Sequence, residues 1–311
     1  MRTLVLEQGT PFCSVQDGGR PGLRHLGIGR AGALDGLALG LANRLVGNAP
    51  QAPALECLLG GIRLRFACDG WLALTGADCH ARLDEVAVWP GWRTPFRAGQ
   101  QLLLGRPRVG LCSYLAVDGG LQQPQILGAC AADLTAGLGG GALSAGSELT
   151  LEAAPGLWQP LGIRLPLAPE SVRFLPGPEW AWFQRARHQL THQRWQVSPQ
   201  SNRMGLRLQG EPLVRQGGEE LSSHGLLPGV IQVPPDGQPI VLGCEAQTCG
   251  GYPRLGMVIR ADLWRLGQLA PGQGLRLVPV TRSQAHQAWL RQQGYLARIE
   301  LLLAKEAETA C

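Results

Sequence analysis

Lysine is almost missing from this sequence: of the 28 basic residues in 311, Lys305 alone is lysine and the other 27 are arginine. A phosphate-binding Gly-Lys-Ser/Thr loop, a Schiff-base amine and a biotinylated carrier each need a lysine in a defined setting. Lys305 lies in an Ala- and Glu-rich tail and fits none of them. Charge is sparse as well, at 16% Asp, Glu, Lys and Arg, and the formal excess of +5 is scattered without a run of five like charges. That pattern speaks against a nucleic-acid partner. No apolar run approaches the roughly 18 residues of a membrane span, and the opening MRTLVLEQGTPFCSV has no cleavage-site pattern. No membrane association is expected, and the cytoplasm is the expected location. The nine cysteines include no Cys-x-x-Cys pair and read as small buried apolar residues of a reducing compartment. His188 and His192 are four apart, as a metal pair would be, but carboxylates at ligand spacing are missing, so no metal site is expected.

What the chain has in quantity is glycine and proline, 44 and 23 residues spread along the whole length. Many turns imply many short strands. AGQQLLL (98–104), AGSELTL (145–151) and PGQGLRL (271–277) each read as a turn feeding a half-buried strand, with leucines at alternate positions. Further β-rich runs lie at 62–66, 72–74, 86–88, 111–117, 172–175, 230–233 and 240–242, close enough together for barrels or sandwiches. The fold class expected is mainly β with minor α. One helix is predicted from Asp35 as N-cap, with Leu37, Ala38, Leu41, Ala42 and Leu45 on one face, to Gly47. A second begins at Pro178 and carries Trp180, Phe183 and Leu190, and a third covers 261–269. The stretch 283–308 is helix-prone with an interruption expected at Gly294. A length of 311 residues suggests two domains, and the Pro- and Gly-rich 153–170 places their boundary near 167.

Four polar, glycine-punctuated stretches stand out. The first, residues 14–48, holds Gln16, Asp17, Arg20, Asp35 and Asn43, a possible N-terminal site. The others are SNRMGLRL (201–208), GVIQVPPDGQPIVL (229–242) and CEAQTCGGYP (244–253). In the last, Gly250-Gly251 beside Gln247-Thr248 allows a ligand close to the backbone, and reads equally as a tight turn without one. Arg203 and Arg254 have the two-pronged geometry that suits a carboxylate, although surface ion pairs are the commoner use of arginine. GADCH (76–80) offers Asp78, Cys79 and His80 as an acid–base cluster or an ordinary turn.

Together SVQDGGRPGLRHLGI, AGALDGLALGLANRLVGN, ALECLLGG, ALTGAD, SNRMGLRL, GVIQVPPDGQPIVL and AQTCGGYPRLGMVIRADLWRLGQLAPG resemble the family of the 5-oxoprolinase C subunit. That family is also called biotin-dependent carboxyltransferase-like or allophanate-hydrolase-subunit-2-like, and it includes the sporulation regulator KipA. The resemblance covers about residues 3–280. It implies two cyclophilin-like β-barrel domains, 1–167 and 168–311, the latter ending in a helix. It further implies a part in a three-part enzyme that opens the lactam of 5-oxoproline to glutamate with ATP hydrolysis. ATP is then expected to be bound by or with the partners, the A and B subunits of 5-oxoprolinase, which include a KipI-like or allophanate-hydrolase-subunit-1-like protein. No biotin is expected on this chain, which should be inactive alone. Two alternatives stay open: carboxyl transfer from a separate biotin carrier to urea or a related amide, and a non-catalytic KipA-like regulator that binds a kinase-inhibitor partner.

Two departures from the family pattern stand out. The family's Gly-Ser-Arg-Ser-Thr stretch and following arginine are replaced by GACAADLTAGLGG (128–140), and Cys249 stands where Thr is common. The expected substrate cleft is lined by Asn202, Arg203, Gln232, Gln247, Thr248, Tyr252 and Arg254 with Gly250 and Gly251. It suits a small amide-bearing acid, with Asn and Gln for the amide and an arginine for the carboxylate. No residue is assigned to catalysis.

Overall fold

Along strand Ile62–Phe66, Ile62, Leu64 and Phe66 are fully buried while Arg63 and Arg65 face outward. This is the two-residue period of a strand with one face in a core. The computed structural model describes residues 2–154, 159–167, 170–217 and 220–310, and the fold is mostly β. Part of the 153–170 connection lies outside the described residues. The chain forms two compact units: Met1–Arg20 with Ala31–Leu167 and Tyr295–Cys311, and Pro21–Arg30 with Ala168–Gly294. Residues 21–30 and 295–311 are thus exchanged relative to a single cut near 167.

The first unit has two six-stranded sheets. One is ordered Glu148–Thr150, Thr3–Gln8, Ile62–Phe66, Gln101–Leu104, Arg82–Leu83, Val86–Ala87. The other is ordered Leu161–Gly162, Trp92–Phe96, Gly70–Asp78, Val109–Val117, Ala54–Leu58, Cys13–Gln16. Residues from both, among them Leu4, Phe66, Leu72 and Leu115, share one apolar core. Phe66 and Phe96 stack within it at 3.9 Å. Helix Gly36–Leu45 begins where expected, because Asp35 accepts a 2.8 Å hydrogen bond from the Ala38 N–H. Its Leu39, Ala42 and Leu45 pack with Ala73 and Tyr114.

The second unit is a closed seven-stranded barrel. Its order is Ser171–Pro176, Arg254–Val258, Val230–Gln232, Ile240–Leu242, Gly205–Gln209, Trp195–Val197, Gly274–Pro279. The parallel pairing of Ser171–Pro176 with Gly274–Pro279 closes the ring, which leaves no edge strand to protect. Phe174, Trp195, Ile231, Val241, Leu255 and Leu275 fill the interior.

Three helix expectations are corrected, and the one over 261–269 is a 3-10 turn, Arg260–Asp262, followed by a four-residue helix, Leu263–Leu266. The segment from Pro178 is a 3-10 turn, Pro178–Phe183, followed by a separate short helix, Arg187–His192. Trp180, Trp182 and Phe183 have modest helix propensity, and burying Phe183 together with Leu190 sets the path instead. The C-terminal helix runs unbroken from Arg282 to Ala310 through Gly294. A glycine costs a helix only about 1 kcal/mol, and both flanks are anchored. Ala288 packs on Ile259 and Ala261 in the second unit. In the first, the Tyr295 hydroxyl donates to Arg164 O at 2.8 Å and Glu300 pairs with Arg44. Among the described residues no helix is long and apolar enough to cross a membrane.

Candidate ligand-binding sites

Strand Val230–Gln232 delivers Gln232 to the end of the barrel, where its side chain is buried and Nε2 donates to Tyr252 O at 3.4 Å. Gly250 lies beside it on the two-residue strand Cys249–Gly250, paired with His224–Gly225. A Cβ at Gly250 would stand 3.5 Å from Gln232 Nε2 and 3.7 Å from Gln247 Nε2. Two amide side chains and Leu226 Cδ1, 2.9 Å from the same point, therefore crowd around Gly250. Gly251 sits against Leu221 O, 2.8 Å from where its Cβ would be. Thr248 holds the stretch in place by accepting the Leu226 N–H at 2.8 Å, and the Tyr252 ring is exposed.

The arginines of the expected cleft are engaged elsewhere. Arg203 Nε donates to Glu245, a carboxylate that is itself buried. Arg254 grips Glu179 through Nε at 3.0 Å, Nη2 at 2.8 Å and its backbone N–H at 2.8 Å. Burial pushes the Glu179 carboxyl up, but the Arg254 side-chain and backbone hydrogen bonds outweigh it and hold the acid below its ordinary value. Asn202 accepts the Met204 N–H at 2.9 Å and shapes its own turn. A third guanidinium, that of Arg24, fastens the polar stretch from behind. It donates to Leu226 O at 3.0 Å, to Ala246 O at 3.3 Å and to Gln247 O at 2.6 Å, and burial lowers its pKa.

In the first unit the N-terminal candidates separate into two groups. Asp35 caps its helix and donates its own N–H to the Tyr114 hydroxyl at 2.8 Å, while Asn43 bonds Ala52 O and Asn48. These two build local structure. Gln16, Asp17 and Arg20 instead take hold of three consecutive residues of the 128–140 loop. Asp17 Oδ2 accepts the Cys130 N–H at 2.6 Å, Arg20 Nη2 donates to Ala131 O at 2.6 Å, and Gln16 Nε2 donates to Ala132 O at 2.9 Å.

Sequence reasoning missed Arg24, Glu179, Glu245 and the buried pair in which Tyr114 donates to Glu56 at 2.6 Å. Glu56 carries a usable signal, a carboxylate inside the apolar strand Ala54–Leu58. The other acids carry none, since their partners lie 42 and 75 residues away. The GADCH cluster does not assemble: Asp78 accepts the His80 N–H in a turn, and Cys79 contacts Ser113 Oγ at 2.7 Å. Burial pushes the Cys79 thiol up to about 11. Cys249 is exposed and free.

Comparison with known proteins fits this architecture. The chain is 48% identical over 300 residues to the C subunit of 5-oxoprolinase from Escherichia coli, covering 95% of this chain and 97% of that one. It is 39% identical over 295 residues to the C subunit of 5-oxoprolinase from Haemophilus influenzae, covering 93% and 95%. The urea amidolyase of K. lactis superposes with a TM-score of 0.89 at 25% identity, over 96% of this chain but 20% of that longer one. Residues 26–279 fit the family described as the carboxyltransferase domain, subdomain A and B, and to that family this chain belongs.

Proposed function

We propose that this chain is one component of an ATP-dependent 5-oxoprolinase, which hydrolyses 5-oxo-L-proline to L-glutamate with ATP hydrolysis. The observation that carries this reading is the 48% identity, nearly end to end, to the Escherichia coli protein named as the C subunit of 5-oxoprolinase. Opening an unactivated lactam requires its oxygen to become a leaving group, as phosphorylation by ATP achieves. Water then attacks the ring carbon and the C–N bond breaks with the nitrogen taking a proton, which leaves an acyl phosphate; a second water cleaves it to glutamate and phosphate, so that two waters are consumed for each ATP converted to ADP and phosphate. Gln232 and Gln247 offer the donors and acceptors that suit a lactam, and the bare Gly250 lets the two amides lie close to the main chain. Lys305 being the sole lysine, ATP binding falls to partners of the A and B types, and this chain is inactive alone.

The test is co-expression with the candidate partners and measurement of glutamate formed from 5-oxoproline. Turnover that needs every component is the expected result, and full turnover without this chain overturns the reading. The family description and the urea amidolyase relatives favour a second reading, carboxyl transfer to urea or a related amide. A biotinylated carrier that co-purifies, with bicarbonate-dependent turnover, would establish it in place of the first.

A further inference from the structure

Arg20 is 1% exposed, yet its guanidinium meets only main-chain carbonyls: Nε donates to Ile126 O at 3.0 Å and Nη2 to Ala131 O at 2.6 Å. Among the described residues its Nη1 is buried with no partner. Asp17, the nearest acid in sequence, directs its two oxygens to the N–H groups of Gly19 and Cys130. Gln16, 0% exposed, uses its NH2 on Ser14 Oγ and Ala132 O and leaves Oε1 buried without a donor among the described residues. A buried guanidinium that meets only neutral acceptors is an expensive arrangement. The acceptors are also telling, because Nε and Nη2 form the edge on which a carboxylate docks with both oxygens. The carbonyls of Ile126 and Ala131 stand on that edge. They belong to one loop, which is joined to the sheet by the same three side chains, Gln16, Asp17 and Arg20, and by the Ala132 N–H, which donates to Val15 O at 3.1 Å.

The geometry points to a ligand site under this loop, for a small carboxylate with a neighbouring N–H, the class that includes 5-oxoproline and glutamate. The carboxylate takes the donors of Arg20, and the N–H donates to Gln16 Oε1. The loop carbonyls occupy the site in the form described, and the ligand exchanges with them as the loop lifts. Residues 129–133 at its centre are buried, so the exchange moves the loop as a unit about its two ends. It turns at Leu127 and Gly128, with φ of +54° and +80°, and again at Gly137 and Gly139, with φ of +65° and +78°. Leu127 is strained there, since a side chain in that region costs free energy that a lifted loop recovers. The choice of 5-oxoproline and glutamate as ligands rests on the proposed function, whereas the site uses neither Gln232 nor Gln247.

The experiment uses the purified full-length chain without nucleotide or partners. 5-Oxoproline, L-glutamate and 2-pyrrolidone are titrated by calorimetry up to roughly 10 mM, above the millimolar range where weak specific binding lies. The expected result is saturable binding of at least one acid and at least ten-fold weaker binding of 2-pyrrolidone, which lacks the carboxylate. Comparison of the two acids tells a lactam ligand from an amino-acid ligand. Arg20→Lys, folded by circular dichroism, weakens the acid at least ten-fold. Gln16→Met removes the preference for an acid bearing an N–H over acetate. If Arg20→Lys does not fold, protease cleavage at Leu127 and Leu134 in the wild type reads the same event, with the acid changing the cleavage rate and 2-pyrrolidone not. Absence of saturable binding, equal binding of 2-pyrrolidone, or a cleavage rate that ignores the acid each overturns the site. None of these readouts depends on 5-oxoproline turnover, so the two proposals fail separately.

Discussion

Arg254 looks from the sequence like a carboxylate clamp, and the structure gives it another task, holding Glu179. The two roles predict opposite results for one set of variants, Arg254→Ala, Glu179→Ala and the double change. Three hydrogen bonds join the pair, two between the side chains and one from the Arg254 backbone N–H. The two side-chain bonds are lost in Arg254→Ala, and charge-assisted bonds of this kind contribute about 1.5–3 kcal/mol each before screening. The side chain of Arg254 is 28% exposed and that of Glu179 7%, so solvent reduces their joint contribution to a coupling of about 2 kcal/mol.

Urea unfolding of the four proteins measures that coupling directly. In the assembled enzyme, the KM for 5-oxoproline in Arg254→Ala should rise less than about five-fold, because the arginine holds Glu179. The pH dependence follows from the acid. Its folded pKa lies below the unfolded value of 4.5, so the contribution is complete above that value and is lost as pH falls through the lowered one. The difference in stability between wild type and Glu179→Ala should therefore be constant at neutral pH and shrink in acid below the ordinary carboxylate range. A coupling near zero, together with a KM raised a hundred-fold or more by Arg254→Ala alone, would refute the reasoning and return Arg254 to the substrate.

Three further expectations follow from the same geometry. Gly250→Ala places a methyl group between the Gln232 and Gln247 amides and 2.9 Å from Leu226 Cδ1, a side-chain end that can yield. Unfolding should show a loss under about 1 kcal/mol, while the KM for the amide substrate rises about ten-fold. Asp262 is fully buried between Arg173 and Arg265, with Arg173 Nη2 at 2.6 Å and Arg265 Nη1 at 3.2 Å. Asp262→Ala should destabilise by about 3–5 kcal/mol in urea, the range for breaking a buried ion pair from one side. Cys249 should be the first thiol alkylated in the native protein at pH 8, followed by peptide mass mapping. Cys57, raised by its contact with Cys13 and by burial, and Cys112, raised by burial, should stay unmodified until unfolding.

The strands are largely legible because alternation and glycine turns are local signals. AGQQLLL, AGSELTL and PGQGLRL each yield the strand expected of them, Gln101–Leu104, Glu148–Thr150 and Gly274–Pro279. Their pairing is not legible. Ser171 meets Arg276 across the parallel seam that closes the barrel, and nothing near either residue specifies a partner about a hundred positions away. The first unit shows the same limit, since Cys13–Gln16 pairs with Ala54–Leu58 while Thr3–Gln8, its neighbour in sequence, lies in the other sheet. Helix ends read well where a side chain caps them, as Asp35 does. They mislead at Gly294, where tertiary anchoring overrides a weak local preference.

The site is legible as a set of stretches and not as a set of roles, and the arginines show why. With 27 of them against 23 acids, sequence alone cannot say which arginine has a carboxylate and which has none. Arg203 and Arg254 sit in the most suggestive motifs and are paired with Glu245 and Glu179. Arg20, in a stretch that reads mainly as turns, is buried and, among the described residues, held by carbonyl oxygens alone. Arginine stays charged wherever it is buried, whereas lysine can shed its proton, so a chain that uses arginine almost exclusively fixes its positive charges in place. Where such a charge is already paired it builds walls; where it meets only neutral acceptors it retains its attraction for an anion. By that criterion the Gln232–Gln247 cleft is equipped for an amide and the Arg20 loop for a carboxylate, a division that the resemblance between whole sequences does not express.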